Sequence, residues 1–523
     1  MEITKHNFND QIETITEQIL DSCFIGFDAE FSNLLTGKKF KNRLFDTNED
    51  RYNLLKNHVG DIMITQIGLT LFKFNTFAES YVAHTYTFHL CPQTLGDIDQ
   101  SCKFQASTLK FLCRHNFNYN KFLYEGIPYL SKVELEMLEQ KLSDDTLFSY
   151  IKQGLDDAEM RLIQSYCSAI THWFLHTNED SICLDVQNPL MRYIMHLEFR
   201  ERYPELLTAN ILGDDNKIMV YRYEIEGAEN TPKEKIENDF MAYITGFSKI
   251  ICLIKTELKP VIGHNMFMDT VLLHNQFIGP LPQKYTVFKN NVSEVFPVLF
   301  DTKYISYVMK AKLTKDEQWQ SNSLQDLYEF FSKGQCKKLE LGINSIKLGT
   351  EFGPKQTYHE AGWDSYCAGY CFLRLGHWAH GESMGLYRLT SPMEKLSSLL
   401  QFRNKINVIR GAMSHMNLAE PDPAIGRPKI LYLKPQKTRE IDFNQVVYDL
   451  TDIGEVDIKP YGKKACLVAA QTHHIANRIL QHYSFFKDYK ITYFNAFRHS
   501  PLSKFAFWGS ALITALYLLQ KRI

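Results

Sequence analysis

Hydrophobic residues near the start of the chain are spaced as in β-strands. Three runs, CFIGFDAEF, DIMITQIGLTLF and SYVAHTYTFHLC, are rich in β-branched and aromatic residues, which favour strands. The last two runs are joined without room for a crossover helix. The pattern therefore predicts an antiparallel meander at the beginning of a sheet.

Beyond the meander, the spacing of apolar residues becomes helical. It is helical from FQASTLKFLCRHNF through 132–180, and again in KEKIENDFMAYITGFSKIICLIKTEL before the short apolar strand PVIGHN. A further strand, VFPVLFDTKYI, precedes helices near 322–333 and 360–380. Strands that are first antiparallel and then separated by helices predict an α/β fold with a mixed sheet covered on both faces.

Two further regions depart from this pattern. A helix around NPLMRYIMHLEF and a hairpin NILGDDNKIMVYRYE predict a small domain over 151–230, inserted between the halves 1–150 and 231–403 of the α/β domain. Prolines and a glycine favour a linker over 404–428. After it, residues 429–498 alternate as βαββαβ, a unit that buries only one face of its sheet on its helices.

The C-terminal segment 503–521 contains a run of 15 residues without charge, 505–519. At 1.5 Å per residue this run covers about 22 Å, which is short for a hydrocarbon core of about 30 Å. Length alone leaves a last core helix and a membrane helix open. The run is apolar on all sides, carries Trp508 and Tyr517 near its ends and is flanked by lysines, so we expect a membrane anchor.

Composition excludes several classes of protein. The 523-residue chain is 45% hydrophobic with a net charge of -2, so it is a folded protein without a uniformly basic surface, and any nucleic-acid binding must come from local patches. Its 11 cysteines show no CxxC pair and no spacing suited to zinc, which fits a reducing cytosolic environment. The N-terminus lacks the apolar core of a signal peptide, so secretion is not expected.

Acidic residues stand at two strand ends. In FIGFDAEF, the strand period of two places Asp28 and Glu30 on one face. In VIGHNMFMD, we place Asn265 and Asp269 four residues apart on the first turns of a helix that leaves a strand. Taken singly, each acid is as readily a solvated surface residue.

A third acid follows a histidine. His359 stands five residues before Asp364 in HEAGWDSYCAGYCF, which places His359 on the loop entering a helix and Asp364 on the helix. Four carboxylates with one histidine suit two hard divalent ions, which stabilise the attacking and leaving oxygens of a phosphodiester. His359 is then the general base, because imidazole accepts a proton near neutral pH.

The order D-x-E, N-x3-D, H-x4-D resembles the DEDDh class of 3′-to-5′ exonucleases. Glu360 occupies the position where the tyrosine-using subclass has its tyrosine. The segments NFNYNKFLYEGIPYL, GHNMFMD and FPVLFDTK are similar to the poly(A)-specific ribonuclease family, and the resemblance runs over roughly residues 1–500. It implies a ribonuclease H-like exonuclease domain.

The resemblance also implies a reaction and a set of residues. Single-stranded RNA is shortened from its 3′ end by two-metal hydrolysis that releases nucleoside 5′-monophosphates, with two Mg²⁺ ions for which Mn²⁺ can substitute, in a protein that can form homodimers. The catalytic residues are Asp28, Glu30, Asp269, His359 and Asp364, of which the four acids bind metal. The substrate contacts are Phe31, Leu34, Leu109, Phe111, Asn265 and Lys303, although Phe31 and Leu109 are equally compatible with a core position.

The accessory regions resemble nucleic-acid-binding folds. Arg192 and His196 in RYIMH are similar to the motif of the small Arg-x3-His domain. The βαββαβ unit resembles a degenerate RNA-recognition domain, because Ala465, Leu467 and Leu431 stand where stacking aromatics are expected. We therefore expect a scaffold or protein-contact role for this unit.

The apolar C-terminal segment resembles that of the membrane-anchored branch of the family, which trims piRNA precursors in the germline. This implies a PIWI-family protein that carries the RNA, a Tudor-domain adaptor and a position on the mitochondrial outer membrane, held by 505–519, with the catalytic domain facing the cytosol. The endoplasmic reticulum membrane is the alternative location. The alternative functions are a poly(A)-specific mRNA deadenylase and a non-catalytic RNA-binding adaptor.

Overall fold

The chain forms two compact units, Met1–Thr36 with Leu55–Ile406, and Gly37–Leu54 with Asn407–Ile523. The structure is a computed structural model. It describes residues 1–35, 37, 40–211, 213–222, 229–313, 318–334, 341–350, 357–436, 440–485, 488–499, 510, 512–514 and 517.

Strands occur in both units. In chain order they are β1 (Glu2–Ile3), β2 (Phe24–Phe31), β3 (Ile64–Asn75), β4 (Ser80–His89), β5 (Ser181–Asp185), β6 (Leu206–Ile211), β7 (Asp214–Arg222), β8 (Val261–Gly263), β9 (Leu299–Asp301), β10 (Ile346–Leu348), β11 (Lys405–Asn407), β12 (His415–Asn417), β13 (Leu431–Pro435), β14 (Val456–Pro460), β15 (Cys466–Ala470) and β16 (Tyr489–Tyr493).

Helices connect and cover these strands. They are α1 (Phe8–Asp21), α2 (Asn48–Lys56), α3 (Ala106–Arg114), α4 (Tyr119–Glu125), α5 (Lys132–Ser143), α6 (Leu147–Gln153), α7 (Asp157–His176), α8 (Pro189–Arg202), α9 (Lys233–Thr245), α10 (Ser248–Thr256), α11 (Phe267–Leu273), α12 (Tyr285–Val295), α13 (Thr302–Lys310), α14 (Leu324–Ser332), α15 (Ala361–Met384), α16 (Pro392–Leu399), α17 (Phe443–Thr451), α18 (His473–Phe485) and α19 (Ala496–His499). Capping boxes at Ser131, Asp156 and Ser391 begin α5, α7 and α16.

The main sheet of the first unit has the order β1-β4-β3-β2-β8-β9, with β10 beside β4. Strands β2, β3 and β4 are antiparallel neighbours, whereas β8 and β9 run parallel to β2. Residues 64–72 of β3 are all buried, so both faces of this strand are covered. The predicted meander and mixed sheet are confirmed.

Helix α15 packs closely on the sheet because glycines face it. A Cβ atom on Gly68 would stand 1.8 Å from the carbonyl oxygen of Ala361, and one on Gly26 would stand 2.3 Å from that of Ser365. Only glycine permits such an approach of two backbones. The first turn of α15 is thereby fixed against β2 and β3.

The inserted segment contains a three-stranded antiparallel sheet, β5-β7-β6, packed against α8. His196 of α8 is 1% exposed, and its ring nitrogens pair with Thr208 Oγ1 at 3.1 Å and Asn210 Oδ1 at 2.7 Å. Arg192 Nη1 donates to the carbonyl oxygen of Val186 at 3.0 Å. A cavity of about 500 Å³ is lined in part by both motif residues.

The second unit contains a four-stranded antiparallel sheet of order β14-β15-β13-β16. Leu431 is 0% exposed and belongs to the core formed with α17 and α18. Its assignment to a base-stacking position is therefore wrong, because the alternation along β13 places the next residue, Tyr432, on the opposite face. Tyr432 stacks on His499 with ring centroids 4.2 Å apart.

Residues 404–428, predicted as a linker, are partly buried. Val408, Met416 and Leu418 are buried, because the apolar residues in the first half of this segment pack while the prolines follow later. Of the predicted membrane segment 503–521, only 510, 512–514 and 517 are described, so this prediction lies largely outside the described residues. Within the part of the chain that is described, no helix is long and apolar enough to span a bilayer.

Candidate active site

Two acids project from the same face of β2. Asp28 is half-buried and Glu30 is 6% exposed. The register with β3 shifts between Glu30 and Phe31, an irregularity of the kind that re-aims a side chain at the end of a strand. Pairing with β3 runs through both residues, while β8 pairs with β2 just before them, at Ile25 and Gly26.

The third acid lies on α11, which follows β8. Asp269 is 8% exposed. Asn265 is not on this helix: it has a left-handed φ of 68° two residues before the helix begins. The buried carboxylate of Asp301 fixes this turn by accepting the backbone N–H groups of Asn265 at 2.8 Å and Met266 at 3.1 Å. The predicted helical position of Asn265 is therefore wrong.

The fourth acid and the histidine lie at the beginning of α15. Asp364 is 7% exposed, and its Oδ2 accepts the backbone N–H of His359 at 3.0 Å. Its Oδ1 is buried without a hydrogen-bond partner among the described residues. His359 is exposed on the preceding loop, with a left-handed φ of 67°. Asp364 thus contacts the backbone of the loop through Oδ2, while its Oδ1 has no partner among the described residues.

Burial and mutual repulsion raise the pKa values of the acids. The pKa values of Asp28 and Glu30 lie well above their ordinary range, first because of burial and then because of repulsion from Asp364 and Asp269. Burial raises the pKa of Asp269 to about 7, with a further contribution from Asp301. It also raises the pKa of Asp364 to about 7. The cluster is therefore unfavourable as four anions and favours a cation.

The donor atoms suit hard divalent ions. Ligand atoms of Glu30, His359 and Asp364 lie within 4.8 Å of one another. Carboxylate oxygens are the ligands that Mg²⁺ prefers, and the unpaired Oδ1 of Asp364 is available to an ion. The residues present therefore fit the predicted metal.

His359 is placed for proton transfer beside these acids. Burial and then the nearby His115 lower the pKa of His359 below its ordinary value. The imidazole is consequently neutral near pH 7, which a general base requires.

Glu360, the following residue, adds negative charge that raises the pKa values of Asp28 and Asp364, and it accepts a hydrogen bond from Thr87 Oγ1.

The apolar residues predicted to contact substrate differ in exposure. Phe31 is 6% exposed and Leu34 is 38% exposed. The backbone N–H of Leu34 donates to Thr108 Oγ1 at 3.2 Å, which ties it to α3. Leu109 and Phe111 of that helix are partly exposed. Leu34, Leu109 and Phe111 therefore offer accessible apolar surface, whereas Phe31 offers little.

Lys303 lies at the beginning of α13, directly after β9. Its backbone N–H donates to Asp301 Oδ1 at 2.9 Å, and burial lowers the pKa of its side chain. Asp301 thus joins the turn of Asn265 to the turn of Lys303. The sequence did not lead us to assign a role in the site to Asp301 or Glu360. The available signals were that Asp301 ends a strand in FPVLFDTK and that Glu360 adjoins His359.

Known proteins with similar sequences are ribonucleases. The model of the CAF1 family ribonucleases matches residues 3–372. The chain is 49% identical over 526 residues to the pre-piRNA 3′-exonuclease trimmer of Bombyx mori, covering 100% of this chain and 99% of that protein. It is 26% identical over 516 residues to the poly(A)-specific ribonuclease PNLDC1 of Mus musculus, covering 96% and 95%. It is 26% identical over 479 residues to the poly(A)-specific ribonuclease PARN of Xenopus laevis, covering 85% and 73%.

These matches bear directly on the sequence interpretation. The resemblance to the poly(A)-specific ribonuclease family is confirmed, as are the ribonuclease H-like exonuclease fold and the activity of a 3′-to-5′ exoribonuclease. The family match extends from β1 into α15 and so includes all four acids and His359. The chain belongs to the CAF1 family of ribonucleases.

Proposed function

We propose that this exoribonuclease trims the 3′ ends of PIWI-bound piRNA precursors by Mg²⁺-dependent hydrolysis, releasing nucleoside 5′-monophosphates. The observation that carries the chemistry is the cluster of half-buried Asp28 with buried Glu30, Asp269 and Asp364, whose pKa values are all raised. Such a cluster is stable as anions only with a compensating cation.

Asp28, Glu30, Asp269 and Asp364 would hold two Mg²⁺ ions, for which Mn²⁺ can substitute. When bound, the ions would stabilise the charge that develops on the attacking and leaving oxygens. His359 accepts the proton of the attacking water, because its imidazole is neutral at the pH of the cytosol. Its place is set through the backbone hydrogen bond to Asp364.

The remaining residues bind the RNA end. Leu34, Leu109 and Phe111 supply apolar surface for the terminal bases, with Phe111 offering a ring for stacking. Lys303 and Asn265, both tied to Asp301, approach the phosphates. Phe31 is almost fully buried, so its proposed contact with the RNA is small.

The substrate class and the location rest on the relative from Bombyx mori, which is named a pre-piRNA 3′-exonuclease trimmer, and on the composition of the C-terminus. The proposal includes a PIWI-family protein carrying the RNA, a Tudor-domain adaptor and anchoring by 505–519 in the mitochondrial outer membrane, with the nuclease facing the cytosol. The endoplasmic reticulum membrane is the alternative location. Homodimers are also part of the proposal.

The accessory regions are proposed as two small domains beside the nuclease. The segment 151–230 is proposed as a small Arg-x3-His-type domain, on the basis of its three-stranded sheet and α8. The segment 429–498 is proposed as a degenerate RNA-recognition-like domain. On the face opposite α17 and α18, His499 stacks on Tyr432 and Leu467 is buried, which favours a scaffold or protein-contact role over base stacking.

A poly(A)-specific deadenylase is the second candidate, favoured by the name of the Xenopus laevis relative. Two 5′-labelled RNAs of equal length distinguish the candidates, one with a mixed-sequence 3′ end and one ending in poly(A). Trimming of both at similar rates, with 5′-monophosphates detected by mass spectrometry, supports the trimming function. Shortening of the poly(A) RNA alone supports the deadenylase, and internal cleavage would contradict both.

The membrane anchor has a separate test. Membranes from cells expressing the full chain or residues 1–502 are washed with alkaline carbonate. We expect the full chain to stay in the pellet and the truncated chain to be released. Release of both would overturn the proposed anchor.

A further inference from the structure

Three aromatic rings meet beside the acids. His115 directly follows α3, and Phe111 precedes it by four residues, so both rings lie on one face of this turn. The ring centroids of Phe111 and His115 are 4.8 Å apart, that of Phe111 lies 4.6 Å from His359, and that of His115 lies 4.4 Å from His359. The three interplanar angles lie between 52° and 70°. The rings therefore pack edge to face.

Few other described contacts set the position of the His359 ring. Its backbone has a left-handed φ of 67°, and its N–H is fixed by Asp364 at 3.0 Å. Among the residues that the structure describes, no hydrogen bond orients its ring nitrogens. A general base normally needs a third group that sets the direction of its ring. Here the described contacts that can do so are the rings of Phe111 and His115.

We propose that His115 is a positioning residue that, together with Phe111, brackets the imidazole of His359 and directs it toward Glu30 and Asp364. This inference rests on the proposed role of His359 as general base. His115 acts through packing and touches no reacting atom. Its loss should therefore lower kcat and leave RNA binding unchanged, whereas loss of Phe111 should also raise KM because Phe111 is a proposed substrate contact.

Kinetics of His115 variants test the role. We expect His115→Ala to lower kcat about 10- to 100-fold, the usual cost of a misplaced catalytic group, with KM unchanged within about twofold. His115→Phe keeps an aromatic ring and should restore most of kcat. His6→Ala, an exposed histidine, is the matched control. An unchanged kcat in His115→Ala, or an equal loss of kcat in His115→Phe and His115→Ala, would overturn the proposed positioning of His359 by the ring of His115.

A measurement independent of activity separates this inference from the proposed function. In protein labelled at histidine Cε1, the His359 resonance is identified by its loss in His359→Gln. We expect His115→Ala to move this resonance, because a neighbouring ring is removed, and His6→Ala to leave it in place. A resonance that stays fixed in His115→Ala contradicts the bracket. If the wild type does not shorten RNA but the His359 resonance still differs between the wild type and His115→Ala, the nuclease mechanism is contradicted while the contact between His115 and His359 is supported.

Discussion

Neutralising one acid should stabilise the metal-free protein while abolishing its activity. Asp364 is buried among acids, and its Oδ1 has no hydrogen-bond partner among the described residues. Asp364→Asn keeps the shape of the side chain and an oxygen to accept the His359 N–H, but removes one negative charge. Without a divalent ion, this charge opposes folding, first because it is buried away from water and then because Glu360 repels it.

The size of the effect follows from the pKa. Burial and neighbouring acids raise the pKa of Asp364 from 3.8 to about 7, and at about 1.36 kcal/mol for each unit of pKa this amounts to roughly 4 kcal/mol. Burial contributes most of this cost, and the neighbouring acids also protonate or shift in response, so neutralising Asp364 alone should recover about 1–3 kcal/mol. A carboxyl pKa that is raised by folding costs nothing below about pH 4, and its full cost is reached as the pH rises past about 7.

Urea unfolding measures this cost. In EDTA, we expect Asp364→Asn to unfold with a higher free energy than the wild type at pH 8, with less than about half of that difference at pH 5 and almost none below about pH 4. Saturating Mg²⁺ should raise the free energy of unfolding at pH 8 more for the wild type than for the variant. Asp239→Asn, an exposed acid on α9, should change neither value. A variant that is less stable than the wild type in EDTA at pH 8 would refute the reasoning.

Three further predictions concern the surroundings of the acids and the inserted segment. Glu360→Gln should raise the Mg²⁺ concentration for half-maximal trimming about two- to fivefold with unchanged kcat at saturating Mg²⁺, because one nearby negative charge is lost; an unchanged Mg²⁺ titration would exclude this role. Gly68→Ala should lower the trimming rate about 100-fold or more, because the added Cβ displaces α15. Gly60→Ala, whose Cβ would meet nothing within 4 Å, should keep the wild-type rate. A Gly68→Ala rate equal to that of Gly60→Ala would contradict the close packing. His196→Ala should lower the free energy of unfolding by about 1–3 kcal/mol, because Thr208 and Asn210 lose their buried partner; a urea titration that matches the wild type would argue against this structural role.

Local periodicity predicted the parts of the site that lie within one element. Asp28 and Glu30 share a face because a strand alternates with period two, and His359 precedes the helix of Asp364 as their spacing indicates. Asn265 could not be placed in this way. Its left-handed turn is held by Asp301, 36 residues further along the chain, so no local pattern contains the information.

Contacts between distant segments also decided the other differences. The ring bracket on His359 joins residues from α3 and from the loop before α15, which are far apart in the chain. On β13, the assignment from sequence was wrong by one residue, which exchanges the two faces of a strand. Leu431 was therefore assigned to the face on which Tyr432 lies. Within the predicted linker, burial of apolar residues between 404 and 418 was likewise not foreseen from the prolines that follow them.

The central claim is that the four-acid cluster is the exonuclease centre. The most direct test is the rate at which purified protein shortens 5′-labelled single-stranded RNA from its 3′ end in Mg²⁺. We predict that Asp28→Asn lowers this rate at least about a thousandfold, in line with the loss of charge stabilisation at a reacting phosphate, while Asp239→Asn retains the wild-type rate. Shortening by Asp28→Asn at a rate within about tenfold of the wild type would contradict the account.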